Sequence, residues 1–434
     1  MKAEILATGD EIRTGALVDS NSAYIAERLE QIGLEVTRHL TVGDDMDTLV
    51  AIFHEIGARA EVCVVTGGLG PTTDDLSAEA AAKAAGVELA LDEKALAYIE
   101  GLYKLAGRTM SESNRKQAYF PESAERLDNP IGTAPGFSLT IGSCRFFFMP
   151  GVPHEMKRML REQTLPRIEK LRGTEQEVAL VKQISTFGST ESQIGEKVAD
   201  LPQKFPGVKL GLRAKFPEIQ VKLYARGNDE AAVKKLLQQA GNDALSRVAD
   251  FAFSDEGKDM AQVLADLLMM EKATIAVAES CTGGLIGDSI TNIAGCSAWF
   301  KMSAVCYTNA SKNKVLGVSE QTLERHGAVH EETAKEMAAG AREVGDATYA
   351  ISTTGIAGPA GGSEKKPVGT VCIGIATPAG AEGYRYFFPF RERERNKQVF
   401  AMTAMDLLRR RLMGLPPPRY GLVKKKESLR STGK

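Results

Sequence analysis

The sequence lacks any run of about 18 apolar residues, the length that a membrane-spanning helix requires. It also lacks a Cys-x-x-Cys pair, and its 6 cysteines stand far apart, which is typical of free thiols in a reducing compartment. A signal peptide is missing too, because Met1 leads almost directly into a strand-like segment, Glu4–Ala7. These absences predict a cytoplasmic protein without membrane helices, a disulfide framework or a cysteine-based zinc site.

Neither sign of charge is in excess. The 54 lysines and arginines nearly balance the 56 aspartates and glutamates, which leaves a formal net charge of −2. Such a balance provides no overall attraction to nucleic acid or to an acidic membrane, so neither is expected as a partner. With 434 residues, of which 43% are hydrophobic, the chain is globular and long enough for about two to four domains.

Strand and helix patterns alternate along residues 1–172. Ser20–Ile32 has the apolar spacing of an amphipathic helix, and Val62–Thr66 is a β-branched strand. This alternation predicts a three-layer α/β domain with a mainly parallel sheet. Near its end, Phe137–Ile141 and Arg145–Met149 are separated by a Gly-Ser turn and predict a hairpin.

The remaining chain divides into three further predicted segments. Residues 173–255 predict a small α+β connecting domain with β-α-β-α order, and residues 256–413 predict a second three-layer α/β domain. Residues 414–434 are rich in proline and then basic, which predicts a disordered tail. The predicted fold class is therefore α/β, with two three-layer α/β domains of mainly parallel sheets joined by a small α+β domain.

A first group of polar residues follows the strand that ends at Thr66. Gly67 and Gly68 allow the backbone to approach a phosphate closely, and Thr72 can donate to its oxygens. Asp74 and Asp75 repel a bare phosphate but suit a sugar hydroxyl, or a divalent metal that bridges to phosphates. The alternative is a turn in which these acids only cap the following helix.

Asp10 and Glu11 repeat this arrangement after the first predicted strand. Ligands of open parallel sheets bind along the carboxyl edge of the strands. We therefore expect these two acids to lie near the glycine turn and to contact the same ligand.

A second group begins where the apolar run Ala273–Ala278 ends abruptly in the segment Glu279–Gly284, which carries Ser280. A strand that turns through glycine into a helix is a common way to present a nucleophile and to aim backbone N–H groups at an anion. The alternative is that Ser280 only caps the next helix. Cys281 is a weaker candidate nucleophile, because thiols are often simply buried.

Histidine is absent from the polar segments that accompany Ser280, so a Ser-His-Asp triad has little support. A lysine can activate a serine instead if burial keeps the amine largely neutral. Lys312 is the candidate base, Tyr307 a candidate proton relay or substrate contact, and Thr354 a candidate to orient the nucleophile. Backbone N–H groups at residues 282–284 are candidates for an oxyanion hole. The alternative for Lys312 is a solvated lysine at a helix start.

Residues 66–75, 132–136 and 149–156 resemble the molybdopterin-binding-like domain of the CinA (competence/damage-inducible protein A) family. The resemblance implies an ADP-ribose pyrophosphatase that uses a divalent metal ion. Ligand is then expected at Gly67, Gly68, Asp74 and Asp75, with Asp10, Glu11 and Glu155 nearby, and Asp74 and Asp75 are the candidate metal ligands. Related domains bind a pterin, and a pterin phosphate also fits these residue types.

Residues 278–284, 307–312, 327–329, 354–362 and 366–371 resemble the C-terminal CinA domain. That domain is similar to nicotinamide-nucleotide amidase, which converts nicotinamide mononucleotide to nicotinate mononucleotide and ammonia without a cofactor. The resemblance implies that Ser280 is the nucleophile, Lys312 its base, and Tyr307 and Thr354 their supports. The implied substrate contacts are Thr282, Gly283, Gly284, Asn309, Gly355, Gly358 and Arg393.

The chain departs from the family pattern at two positions. Ser303 precedes Ala304-Val305 where a glycine is usual, and Arg391-Glu392-Arg393 replaces a Gly-Asp-Arg motif. Arg393 is still expected to bind a nucleotide phosphate, and the changed neighbours affect the shape of that pocket.

Together these features predict a homodimeric enzyme of pyridine-nucleotide recycling with nicotinamide mononucleotide and ADP-ribose as substrates. The competing hypothesis is a molybdopterin- or nucleotide-binding regulatory protein without catalytic activity.

Overall fold

The structure is a computed structural model that describes residues 1–173, 178–418 and 420. The chain forms two compact units, residues 1–180 with 226–234, and residues 181–225 with 235 onward. The basic part of the predicted tail, residues 421–434, lies outside the described residues. Within the described part, no helix combines the length and the apolar composition needed to cross a membrane.

The described residues of the first domain form eight strands and eight α-helices. Its strands are β1 (Lys2–Thr8), β2 (Glu35–Val42), β3 (Val62–Thr66), β4 (Leu89–Leu91), β5 (Tyr119–Pro121), β6 (Glu125–Leu127), β7 (Gly136–Ile141) and β8 (Cys144–Met149). Its helices are α1 (Asp10–Arg13), α2 (Ser20–Gln31), α3 (Met46–Gly57), α4 (Ser77–Ala85), α5 (Glu93–Leu105), α6 (Glu112–Arg115), α7 (Pro153–Met159) and α8 (Leu165–Arg172). Six of the strands form one sheet in the order β2-β1-β3-β8-β7-β6.

Strands β2, β1, β3 and β8 are parallel, and the predicted hairpin is confirmed because β7 pairs antiparallel with β8. Successive side chains of β8 enter opposite cores, as the two-residue period of a strand requires. Phe146 and Phe148 pack edge-on against Phe53 of α3, whereas Phe147 packs in the other core with Ile25 of α2. The predicted three-layer α/β arrangement is therefore confirmed.

The small middle domain contains four strands and three helices. They are β9 (Val178–Phe187), α9 (Glu191–Val198), α10 (Leu201–Lys204), β10 (Val208–Lys215), β11 (Glu218–Gly227), α11 (Glu230–Val248) and β12 (Ala252–Ser254), with sheet order β10-β11-β9-β12. The predicted β-α-β-α order omits β10 and β12. Strand β12 has only 3 residues, and β10 is a half-exposed strand whose charged side chains and central Gly211 lower its mean hydropathy.

In the last domain, the residues that the structure describes form five strands and six α-helices. They are α12 (Met260–Met270), β13 (Ile275–Glu279), α13 (Leu285–Thr291), β14 (Phe300–Val305), α14 (Asn309–Leu316), α15 (Glu320–His326), α16 (Glu331–Val344), β15 (Tyr349–Gly355), β16 (Thr370–Thr377), β17 (Gly380–Phe387) and α17 (Arg393–Leu412). Their sheet order is β14-β13-β15-β16-β17.

In this sheet β14, β13 and β15 are parallel, and β16 and β17 join them antiparallel. The carboxyl ends of the three parallel strands therefore lie at the same edge as the amino end of β16. Helices cover both faces, with one core that includes α12 and α17 and another that includes α16. This edge carries the second group of polar residues predicted above.

Candidate active site

Ser280 lies directly after β13, in the turn that leads to α13. Its N–H donates to the carbonyl of Thr353 on β15 at 3.0 Å, and its carbonyl accepts from the N–H of Gly283 at 3.2 Å. Gly283 and Gly284 have φ angles of 63° and 95°, a region that glycine adopts without strain. The N-cap of α13 is Gly284, so the alternative in which Ser280 caps this helix is wrong.

Lys312, on the first turns of α14, has no exposed surface. Its Nζ donates to Oγ of Ser280 at 3.0 Å, to the carbonyl of Cys306 at 2.9 Å and to that of Tyr307 at 3.2 Å. These contacts match the three donors of a lysine ammonium. The alternative in which Lys312 is a solvated lysine at a helix start is therefore wrong.

Burial shifts the pKa of Lys312 and the pKa of Cys281 in opposite directions. It lowers the pKa of Lys312, because an ammonium group loses its hydration in the interior. Burial also raises the pKa of the Cys281 thiol to about 12, so this thiol is protonated near neutral pH. A thiol in that state is a poor nucleophile, which favours Ser280 over Cys281.

Within the described residues, the side chains of Tyr307 and Thr354 hydrogen-bond to groups other than Ser280 and Lys312. Tyr307 is exposed, and its hydroxyl accepts from Arg393 Nη2 at 2.8 Å, while its carbonyl accepts from Lys312. The buried hydroxyl of Thr354 donates to the carbonyl of Ala328 at 2.7 Å. Tyr307 thus holds the lysine through its backbone, and Thr354 fixes the segment that contains Ala328.

Glu279 has a role that the sequence did not reveal. This carboxylate is completely buried, and it accepts from the N–H groups of Gly284 at 2.9 Å, Ile286 at 3.2 Å and Gly287 at 2.9 Å. Ser303 donates its hydroxyl to the same carboxylate at 2.9 Å. A buried carboxylate requires such partners, and here they join the end of β13 to the start of α13. The feature of the sequence that could have indicated this role is the position of a charged residue at the end of an apolar strand.

These contacts limit the predicted oxyanion hole. The N–H of Gly283 donates to Ser280, and the N–H of Gly284 donates to Glu279, so both donors are used within the turn. Within the described residues, Thr282 is the member of the predicted set whose N–H has no acceptor in the protein. A developing oxyanion near Ser280 therefore has one of the three predicted backbone donors available.

We expect Glu279→Gln to destabilise the last domain by about 3 kcal/mol, because an amide NH₂ would face N–H or O–H donors in place of one carboxylate oxygen. Trp299 is the only tryptophan and lies buried in the core behind β13, so its fluorescence during urea unfolding reports on this domain. The exposed Glu343→Gln is the matched control. An unchanged midpoint for Glu279→Gln would show that its four contacts add nothing to stability.

The other predicted contacts of this site lie around the same edge. Asn309 is exposed at the start of α14, and Gly355 ends β15, where a Cβ would lie 3.2 Å from Sγ of Cys281. Gly358 has a φ of 86°, and its carbonyl accepts from Arg393 Nη1 at 2.9 Å. The structure therefore brings Arg393 to Tyr307 and Gly358 despite the unusual motif that precedes it.

The first domain contains a cleft of about 580 Å³ at the carboxyl ends of β1 and β3. The predicted residues that line it are Glu11, Gly67, Gly68, Thr72, Asp74 and Asp75, together with Glu155. Asp10 is not among the lining residues, and its carboxylate pairs with Arg13 at 2.9 Å. Asn21 and Asp44 also line the cleft and carried no motif in the sequence.

The two glycines are required by close packing. A Cβ on Gly67 would overlap the carbonyl oxygen of Thr8, and a Cβ on Gly68 would overlap Oγ of Ser77. Both residues also have positive φ angles, 112° and 66°. The glycine turn therefore places bare backbone at the wall of the cleft, as the phosphate hypothesis requires.

The paired acids differ in their surroundings. Asp75 accepts the N–H of Thr72 at 2.9 Å and also its hydroxyl, whereas Asp74 is exposed. Burial raises the pKa of Asp44, and the carboxylates of Asp10, Glu11 and Asp74 raise it further.

Within the described residues, no three His, Cys, Asp or Glu side chains converge as a ready metal site. The cleft therefore suits a metal ion that is held by few carboxylates and by the phosphates of a ligand. Mg²⁺ is commonly bound in this way.

Comparisons with known proteins cover nearly the whole chain. Family models match residues 4–170 (probable molybdopterin binding domain), residues 181–254 (damage-inducible protein CinA KH domain) and residues 257–412 (CinA C-terminal domain). A CinA-like protein of Desulfosudis oleivorans is 48% identical over 413 residues, which cover 95% of this chain and 100% of that protein. A CinA-like protein of Desulforapulum autotrophicum is 46% identical over 417 residues, with coverages of 95% and 99%.

A solved structure described as the protein CinA with unknown function, from Thermoplasma acidophilum, is 36% identical with a TM-score of 0.36. It covers 38% of this chain and 96% of that chain. Because its relatives match along almost their entire lengths, the chain belongs to the CinA family.

Proposed function

We propose that the last domain is an amidohydrolase that converts nicotinamide mononucleotide to nicotinate mononucleotide and ammonia. The observation that carries this proposal is the 3.0 Å hydrogen bond between Oγ of Ser280 and Nζ of the fully buried Lys312. A serine that contacts an amine with a lowered pKa is an activated nucleophile. The resemblance of the surrounding motifs to nicotinamide-nucleotide amidase supplies the substrate class.

The geometry supports the following sequence of steps. Once it has lost the proton directed at Ser280, neutral Lys312 accepts the hydroxyl proton of Ser280 while its two N–H groups stay bonded to the carbonyls of Cys306 and Tyr307. Oγ then attacks the carboxamide carbon, and the negative charge develops on the carbonyl oxygen near Thr282. Lys312 returns the proton to the leaving amine, so ammonia departs and an ester on Ser280 remains.

A water molecule completes the cycle. Lys312 accepts a proton from this water as its oxygen attacks the ester carbon, and the C–Oγ bond then breaks. The proton returns to Oγ of Ser280, which restores the starting hydroxyl, and the carboxylic acid that forms loses its proton to solvent and leaves as nicotinate mononucleotide. One general base serves both half-reactions, a role that is commonly worth about 10² to 10⁴ in rate.

The direct test is to incubate the full chain with nicotinamide mononucleotide and to measure ammonia and nicotinate mononucleotide. Equal amounts of both products are expected. Tight binding without either product would favour the competing hypothesis, a regulatory protein that binds nucleotides or molybdopterin without catalysis.

For the first domain we propose hydrolysis of ADP-ribose to AMP and ribose 5-phosphate in the cleft lined by Gly67, Gly68 and Asp74. The bare backbone of the glycine turn suits a diphosphate, and the exposed carboxylate of Asp74 suits a divalent metal held jointly with phosphate oxygens. When bound, that metal would supply charge stabilisation at the diphosphate. A pterin phosphate is the second candidate ligand, favoured by the family model that matches residues 4–170.

Both proposed substrates are products of NAD breakdown, so a role in pyridine-nucleotide recycling follows from the pair. We further propose that the chain acts as a cytoplasmic homodimer without nucleic-acid or membrane partners. Light scattering on the purified full chain tests the dimer, and a monomeric mass would contradict it.

We expect Asp74→Asn to lower metal-dependent AMP release by at least about tenfold, because it removes the exposed carboxylate that faces the cleft. Asp75→Asn should instead loosen the loop, because its carboxylate holds Thr72. The readouts are AMP formation and Mn²⁺ affinity by calorimetry in the presence of ADP-ribose. Asp47→Asn, which alters a carboxylate with 90% of its side chain exposed, is the control. Unchanged Mn²⁺ affinity and AMP release in Asp74→Asn would leave Asp74 as a simple loop residue.

A further inference from the structure

Lys397, on the second turn of α17, lies over the turn that presents Ser280. Its Nζ is 3.7 Å from the position that a Cβ on Gly283 would occupy. Gly283 is three residues beyond Ser280, so this ammonium group lies beside the turn that carries the proposed nucleophile. None of the sequence motifs that point to this site includes Lys397.

Arg393 begins the same helix, four residues before Lys397, so the two cationic side chains project from one face of α17. Two of the five guanidinium N–H groups of Arg393 are used, by the carbonyl of Gly358 and by the hydroxyl of Tyr307. The remaining donors are available to a ligand. Arg393 and Lys397 therefore present their charges at the same edge as Ser280.

The position of this helix end is fixed by Asn396. This side chain has no exposed surface, and its Nδ2 donates to the carbonyls of Ala357 at 2.9 Å and Phe390 at 3.0 Å. Asn396 lies between the two cations in sequence and anchors the backbone that carries them. Arg393 and Lys397 are thus held on a rigid element rather than on a loop.

In the part of the chain that the structure describes, neither Arg393 nor Lys397 pairs with a carboxylate. Glu392 and Glu394 flank Arg393 in sequence; Glu392 pairs with Arg395 at 2.7 Å, and Glu394 forms no ion pair among the described residues. Two unpaired cations at the sheet edge that carries Ser280 complement a dianion on the substrate. A phosphate monoester carries about two negative charges near neutral pH and accepts charge-assisted hydrogen bonds from both types of side chain.

We propose that Lys397 is the second cation of a phosphate subsite shared with Arg393, and that it makes the Ser280 site select nucleotides over the corresponding nucleosides. This inference rests on the proposed amidase function and identifies what distinguishes its substrate class. Lys397 binds the part of the substrate that does not react, so it contributes affinity for the ground state and the transition state alike.

The test compares nicotinamide mononucleotide with nicotinamide riboside, which lacks the phosphate. Lys397→Met should raise KM for the nucleotide by about 10- to 100-fold, the range expected for the loss of one charge-assisted hydrogen bond. The value of kcat should change less than about threefold, because the substitution weakens binding of the ground state and of the transition state equally. The value of kcat/KM for the riboside should remain unchanged. Lys397→Arg should recover most of the affinity, and Lys335→Met, which removes a lysine charge on α16, is the matched control.

Calorimetry on a Ser280→Ala background separates binding from chemistry. The added Lys397→Met change should weaken binding of the mononucleotide by the same factor and leave the riboside unaffected. Equal losses for both ligands, or an unchanged KM for the nucleotide, would overturn the phosphate role of Lys397 while the amidase proposal stands. If the parent protein neither binds nor deamidates the mononucleotide, the proposed function and this inference fail together.

Discussion

Ser280→Ala is expected to lower ammonia release from nicotinamide mononucleotide by about 10⁴- to 10⁶-fold, because removal of a nucleophile abolishes the covalent route and leaves only binding and electrostatic contributions. The hydroxyl lies at the end of β13 and contacts Lys312, so no other group on this turn can replace it at the same position. Single-turnover measurements of ammonia are sensitive enough to follow such a loss.

Two variants make this result specific to Ser280. Ser289→Ala removes another hydroxyl, one that donates to the carbonyl of Leu285 at 2.8 Å within α13, and it should retain activity. Cys281→Ala should also remain active, because burial raises the pKa of that thiol to about 12 and keeps it protonated. If Cys281→Ala were inactive with normal Trp299 fluorescence while Ser280→Ala stayed active, the nucleophile would be the thiol of Cys281.

Lys312→Met is expected to lower kcat/KM by about 10³-fold, within the range that general acid–base catalysis contributes. Methionine fills the buried space without a charge, so the loss would report on proton transfer rather than on a cavity. Lys314→Met is the matched control, since Lys314 is exposed on the same helix. Activity of Lys312→Met within a few-fold of the parent would exclude the Ser-Lys mechanism.

The same lysine sets the expected pH dependence. A general base acts when it is unprotonated, and burial lowers the pKa of Lys312 below that of an exposed lysine. The value of kcat/KM should therefore rise with pH through this lowered pKa and reach a plateau before the ordinary lysine range. The low residual rate of Lys312→Met should lack this rise, and a rise that persists there would assign the titration to another group.

The departure from the family motif at Ser303 has a structural explanation. Its hydroxyl completes the set of donors around Glu279, and the glycine at position 287 leaves room for it, since a Cβ there would lie 2.9 Å from Cβ of Ser303. A glycine at position 303 could not make this contact. In this chain the turn that carries Ser280 therefore gains a side-chain donor from the neighbouring strand.

Several predictions from local pattern agree with the structure because their causes are local. The alternation of apolar residues predicts the β-α order of both large domains, and the apolar run before Glu279 ends at the predicted strand end. Glycine turns after β3 and β13 were predicted from residues whose positive φ angles the structure shows. Strand β10 was missed because its charges and Gly211 weaken the apolar signal.

The order of residues is enough to predict the α/β architecture, the family, and a serine and a lysine that could form a catalytic pair. Hydropathy period and turn chemistry depend on neighbouring residues, so these features can be read along the chain. The tertiary structure alone decided that Lys312 is buried against Ser280, that Glu279 secures the turn, and that Lys397 stands beside Gly283. These contacts join residues far apart in sequence, and burial of a charge depends on every element packed around it. For that reason a lysine that looks solvated in sequence is, in the folded chain, buried in contact with Ser280.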